Sequence, residues 1–192
     1  MKKMILSAVM LVFAASGRAQ EAGAASPTEH NEWLTTFEAV AVDADLDIKF
    51  VKVPDTEAPK IVYDTKGSYT SKFRAEVKDK TLRISERPDS RRPDRTEVTV
   101  YYNTLQSVSL SGAAAVFEGT VDAVQLDLTL GRKASLTAAF DVKDLRMELT
   151  GGSSATLTGK ASYLTLFAST GRVAASLSER SEEHTSELQS LV

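Results

Sequence analysis

Between Leu105 and Ser178 the chain repeats one phrase four times: an apolar–polar–apolar run followed by a glycine-bearing turn. The phrases occupy 108–112, 126–131, 145–151 and 164–171. Aligned, they form two apolar columns, Val108, Leu128, Met147, Leu166 and Leu110, Leu130, Leu149, Ala168, whose steps are 20, 19 and 19 residues. A fixed period in this range is the signature of stacked coils, none of which can bury its apolar face without a neighbour. Side chains alternate faces along a strand, so the columns are expected to point inward. The residues between them, Ser109, Asp127, Thr129, Arg146, Glu148, Thr165 and Phe167, are expected to face solvent. Six positions beyond the second column stand Val116, Leu136, Ala155 and Ala174, expected as a third inward column. Gly112, Gly131, Gly151, Gly152 and Gly171 fall at the corners, where a positive φ costs glycine nothing. The pattern predicts an all-β chain, a right-handed parallel β-solenoid of coils about 20 residues long.

Ahead of the repeat the β pattern is less regular. Val40, Val42, Leu46, Ile48 and Phe50 alternate as a half-buried strand pair does. Short strands follow around Ile61–Tyr63, 73–77, 82–84 and 98–102, separated by Pro, Gly and Lys-Asp turns. Regular structure is expected to begin near Trp33 or Phe37. The stretch 86–97 mixes Arg and Asp with Pro88 and Pro93, the composition of a solvated loop; its Arg91 and Arg92 are the residues that would grasp an anion there.

The two ends are read as non-structural. Residues 1–19 have the form of a secretory signal peptide: Lys2 and Lys3, an apolar run, then small residues before Gln20. Residues 20–33, rich in Ala, Gly, Ser and Glu, read as a flexible linker, with the folded domain over 34–179. Residues 180–192 are expected to be a disordered, non-native tail, because 180–190 resemble the translation of a sequencing adapter; the domain is then truncated after Glu179. With no cysteine, disulfides and lipid attachment through a thiol are excluded. Setting aside Lys2, Lys3, Arg18 and Arg180 with Glu182, Glu183 and Glu187 leaves 19 basic against 23 acidic residues. A mildly acidic, mixed surface argues against nucleic acid as partner, and no membrane span is expected once the signal segment is cleaved.

The residues carry little catalytic chemistry. No zinc-ligand spacing, no nucleophile–His–acid set and no phosphate loop are present, so no catalytic residue, metal or cofactor is assigned. Asp43, Asp45 and Asp47 alternate as three carboxylates on one strand face, read as a solvated face rather than a calcium loop. Along the ladder strands Asp127, Arg146 and Glu148 are the candidates for ligand contact, although their offsets in sequence separate them. Phe167, the one outward aromatic of those strands, is either a covered contact or a ligand platform.

The order of phrases resembles a known family. Phe37-Glu38-Ala39-Val40, then 73–77 with 81–84, then 98–102, then serial Leu-x-Leu with Ser-Gly-Ala or Gly-Gly-Ser, are similar to the DUF2807 family, the auto-transporter adhesin head or GIN domain. The resemblance runs from about Phe37 to Glu179, and 109–113 and 149–154 match most closely. It implies an exported bacterial protein with a parallel β-solenoid fold and no established enzymatic role, with further Ser-Gly coils in other members. The reading that follows is a non-enzymatic adhesion or binding domain at the envelope, periplasm or cell surface. Its partner would be a glycan, a protein or an envelope polymer. A polysaccharide-active β-helix enzyme and a purely structural envelope protein are the alternatives.

Overall fold

A computed structural model of the chain describes residues 28–66, 72–88 and 94–178. The signal segment, most of the linker, Arg91, Arg92 and the tail lie outside the described residues. Among those residues there are twelve strands and no helix. They are β1 (Glu29–Trp33), β2 (Ala39–Asp43), β3 (Asp47–Lys52), β4 (Lys60–Asp64), β5 (Phe73–Lys78), β6 (Thr81–Glu86), β7 (Glu97–Tyr102), β8 (Ser107–Ser111), β9 (Ala114–Gly131), β10 (Ser135–Leu149), β11 (Ser154–Ala168) and β12 (Arg172–Ser178). Buried residues alternate along β2, β3, β6, β7 and β8, up to the exposed Lys52 and half-buried Glu86 that end β3 and β6, as the two-residue period of a half-buried strand requires.

The strands form one open, strongly curled sheet with two flanks. On the first flank β5–β6–β2–β8 continue into the C-terminal parts of β9, β10 and β11. On the second flank β1–β4–β7–β3 continue into the N-terminal parts of β9, β10 and β11, and then into β12. The long strands bend from one flank to the other, so β9 pairs with β3 at one end and with β8 at the other. Both apolar columns of the sequence pattern stand in register. Val108 faces Leu128, Leu128 faces Met147 and Met147 faces Leu166, while Leu110, Leu130, Leu149 and Ala168 align beside them.

The stack is not wholly parallel, which corrects the expected solenoid: β1–β4, β4–β7 and β5–β6 are antiparallel, and the sheet is mixed. For β5–β6 the physical reason is connection length. A tight turn joins antiparallel neighbours, whereas a parallel pair needs a long crossover. Asp79 and Lys80, with φ of 51° and 56°, supply that turn between β5 and β6. The N-terminal half is also more regular than its sequence suggests. Val40 lies between Leu82 and Val108, and Ile48 between Val98 and Ala115, so β2 and β3 make a coil slotted out of chain order between two others.

Three further expectations are corrected. The third column is Ala115, Leu136, Ala155 and Val173; Val116 and Ala174 instead sit in register with Thr137 and Thr156. The turns leading into β9, β10, β11 and β12 differ in length, so a fixed six-residue offset slips by one at the first and last coils. Gly131 and Gly171 do not take a positive φ; at the first of these corners Arg132 and Lys133 carry it, at 45° and 61°. The last five residues of the presumed linker form β1, every one paired with β4. Thr28 Oγ1 donates to Asp64 at 2.7 Å, Tyr63 donates to Glu32 at 2.7 Å, and His30 stacks on Tyr63 with centroids 5.0 Å apart. Local polarity concealed this strand, because its stability comes from the partner strand.

Inside the curl an aromatic file runs along the stack: Phe50 meets Tyr102 at 6.4 Å and Phe117 at 4.6 Å, and Phe117 meets Phe140 at 6.4 Å. Gly159 faces Phe140 in the next coil, and a Cβ there would stand 2.0 Å from the Phe140 carbonyl oxygen, with φ at +111°. Gly119 also has a positive φ, +78°, but a Cβ there meets nothing within 4 Å. Gly159→Ala is therefore expected to cost about 3 kcal/mol or more through overlap plus strain, and Gly119→Ala about 1 kcal/mol through strain alone. Urea unfolding followed by far-ultraviolet circular dichroism measures both; equal losses would show that overlap at Gly159 is relieved by backbone movement.

Burial, aided by the hydrogen bond to Glu32, pushes the Tyr63 phenol up to about 12, and burial pushes Tyr102 up to about 12 as well. Both hold their proton in the folded chain where an unfolded chain, with a phenol near 10, would lose it. The stability they carry is complete below pH 10 and is lost as pH rises through 12. Absorbance titration at 295 nm is expected to show Tyr63 and Tyr102 ionising near pH 12 rather than near 10, in step with alkaline unfolding.

Candidate functional site

Alternation that buries Val108, Leu128 and Met147 places two polar rows on the outer surface of the first flank. Ser107, Asp127, Arg146 and Thr165 form one row; Ser109, Thr129, Glu148 and Phe167 form the other. The residues that sequence offsets seemed to separate are thus brought together. Asp127 is the direct cross-strand neighbour of Arg146, and Glu148 that of Phe167. Arg146 rests its guanidinium 5.7 Å from the Phe167 ring centroid, a cation–π arrangement that bridges the two rows. Phe167 is 56% exposed, so of its two sequence readings the covered contact is not made among the described residues.

Asp127 is the pivot. Its Oδ2 accepts a long hydrogen bond from Gln125 Nε2 at 3.4 Å, while its Oδ1 is shielded from water and has no hydrogen-bond partner. A buried acceptor without a donor costs about 1–3 kcal/mol and calls for an explanation. The carboxylate borders a groove of about 450 Å³ whose polar lining includes Gln106, Ser107 and Gln125. Two amides, a hydroxyl and a carboxylate converge there, a set that can exchange hydrogen bonds with hydroxyl or amide groups of a ligand. Gln106 and Gln125 were not legible as site residues. Gln125 stands two positions before Asp127 on the same strand, while the pairing of β8 with β9, and the bond from Asp127 N–H to the Gln106 carbonyl at 2.8 Å, brings Gln106 beside them.

A larger groove, about 810 Å³, opens on the second flank and is lined by charge. Asp64 sits low in the carboxylate range, held there chiefly by the Thr28 hydroxyl and also by Lys66. Lys66 lies between Glu97 at 2.9 Å and Asp64 at 3.3 Å, and Glu97 above all raises its pKa. Lys49 pairs with Glu118, which raises it likewise. The proposed strand face of Asp43, Asp45 and Asp47 is not formed. Ala44 and Leu46 are buried at a corner between β2 and β3, and the three exposed carboxylates are divided between two cations. Asp43 pairs with Arg132 at 2.7 Å; Asp45 and Asp47 both pair with Arg95. Among the described residues no group of three His, Cys, Asp or Glu is placed to hold a metal ion.

The Arg146–Phe167 contact is partly exposed, so its coupling is expected to be about 0.5–1 kcal/mol. A double-mutant cycle with Arg146→Ala and Phe167→Leu, read by urea unfolding, measures it, and a value of zero would leave Arg146 free to serve Asp127.

Against known proteins, the model of the DUF2807 family, described as "Putative auto-transporter adhesin, head GIN domain", matches residues 36–181, and the chain belongs to that family. No curated protein matches it. Among solved structures it is similar to a putative adhesin from Parabacteroides distasonis, at 14% identity and a TM-score of 0.63. That similarity covers 80% of this chain and 66% of the other, so the chain spans about two thirds of that structure. A putative adhesin from Parabacteroides merdae is similar at 13% identity and a TM-score of 0.50, over 78% of this chain and 76% of the other. Likeness at these identities shows the fold alone.

Proposed function

We propose that this member of the DUF2807 family is an exported, non-enzymatic binding domain of the cell envelope. It would hold a glycan, protein or envelope polymer on the outward rows of its first flank. The observation that carries the reading is a juxtaposition: Asp127 at the lip of a groove, its cross-strand neighbour Arg146, and the exposed Phe167 ring that Arg146 reaches. Acceptors, a cation and an apolar ring on one rigid sheet face are what a polar, partly apolar polymer needs from a docking surface. The names of the family and of the similar structures, adhesins in both cases, agree with this reading. The repeat supports it physically. Parallel stacking at about 4.8 Å presents outward side chains in evenly spaced rows, suited to a ligand that is itself extended and repetitive. The signal-peptide form of residues 1–19 supports export. Among the described residues no helix is long and apolar enough to cross a membrane.

The test is retention of the purified chain on a printed glycan array and on isolated peptidoglycan sacculi. Asp127→Asn and Arg146→Ala are expected to weaken retention about tenfold each while the chain keeps a single cooperative unfolding transition. Reducing ends are measured in the same samples. Their release from any bound polysaccharide would replace the binding domain with a polysaccharide-active enzyme.

A further inference from the structure

Trp33 is the one tryptophan of the chain, and it is 69% exposed on an outward position of β1. Single exposed apolar residues are common and need no explanation. Trp33, however, is one member of a row that the strand register draws across the second flank. It faces Lys60, and Lys60 faces Tyr101. The Lys60 ammonium lies 5.6 Å from the Trp33 ring centroid and 4.5 Å from that of Tyr101. The two rings are two strand spacings apart, about 10 Å. That is the reach of a short oligosaccharide rather than of one ring.

Farther along the same strands lies the 810 Å³ groove, whose lining includes Asp47, Asp64, Glu97 and Thr99. Its carboxylates outnumber its lysines. Asp64 is held low in the carboxylate range and stays ionised at neutral pH. Such a lining repels a polyanion and accepts hydrogen bonds from hydroxyl groups.

We propose that this face is a glycan site of its own, selective for a neutral chain. Pyranose rings lie with their C–H faces on Trp33 and Tyr101, sugar hydroxyls donate to the groove carboxylates, and the Lys60 ammonium donates to sugar oxygens between the rings. The proposal rests on the reading of the chain as a binding domain, but it uses the opposite flank from Asp127 and Arg146.

Because the chain has one tryptophan, its emission reports on this site alone. The experiment uses native affinity gels containing laminarin, hydroxyethylcellulose, galactomannan or the polyanion polygalacturonate, with acrylamide quenching of Trp33 in the same polysaccharides. At least one neutral polymer is expected to retard the chain and to cut acrylamide quenching about twofold or more, while polygalacturonate does neither. Trp33→Ala and Tyr101→Ala are expected to weaken retardation about tenfold or more, and Trp33→Phe to retain part of it, which separates ring stacking from a folding defect. Retardation with Trp33 still fully quenched and Trp33→Ala without effect would overturn this site and leave the binding-domain reading standing. Preference for polygalacturonate, or no retardation by any neutral polymer, would also overturn it; retention on the array or sacculi that depends on Asp127 would then still support a binding domain on the other flank.

Discussion

The structure depends on burial that no coil can achieve alone. Within one column, Leu110, Leu130 and Leu149 are 2%, 1% and 0% exposed because a coil lies on either side of them. In the neighbouring column Met147 is fully buried, yet Leu166, the next position along, is 42% exposed because its own strand, β11, is the last on the first flank among the described residues. The chemistry of the two side chains is alike; only the coverage differs. Burying such a side chain stabilises by about 1.5–3 kcal/mol, so each added coil stabilises the one before it, and the in-register ladder is what sets where that gain falls.

The two ends of the stack therefore differ in kind. At one end, antiparallel β5, β4 and β1 lie against the coils, and the rings of His30, Tyr63 and Phe73 stack on one another beneath them. Arg95 adds a tie across that half. Besides its two aspartates it donates to the Gly112 carbonyl at 3.1 Å, linking the corner of the β2–β3 coil to the corner of the β8–β9 coil. At the other end Tyr163, Leu164, Leu166 and Phe167 are all exposed. Local opening is expected to begin from this less covered end, while the sealed end keeps the cooperative core.

This difference also explains what could be read from the amino acids. The columns through Leu128 and Leu130 were legible because the period repeats four times and tolerates no ambiguity of face. The third column was misplaced at Val116 and Ala174 because turn length, unlike strand alternation, has no periodic signal. The coil of β2 and β3 was seen as strands but not as part of the repeat, since its neighbours along the stack are distant in sequence. β1 was invisible: Glu29, His30, Asn31, Glu32 and Trp33 show no apolar alternation, and the strand exists through its pairing with β4. On the first flank the register sets the candidates Asp127 and Arg146, and Glu148 and Phe167, side by side although their sequence offsets separate them. On the second, the row of Trp33, Lys60 and Tyr101 joins three separated segments, and nothing local to any of them announces the others.

Core and surface in this fold are consequently one specification. Inward positions are committed to Leu, Val, Phe and Ala by the columns, so any recognition chemistry must be written on the residues between them. Those outward residues take their neighbours from the same ladder. The pairing that sets Leu128 against Met147 is the pairing that sets Asp127 against Arg146. A slip of one residue would turn Asp127 into the core and Leu128 into water, exchanging every face at once. The register is thus held by apolar burial far stronger than any contact among the outward side chains. That leaves the outward rows free to carry a carboxylate at Asp127 with one oxygen unpartnered and an exposed indole at Trp33 without endangering the fold, which is the freedom a binding surface needs.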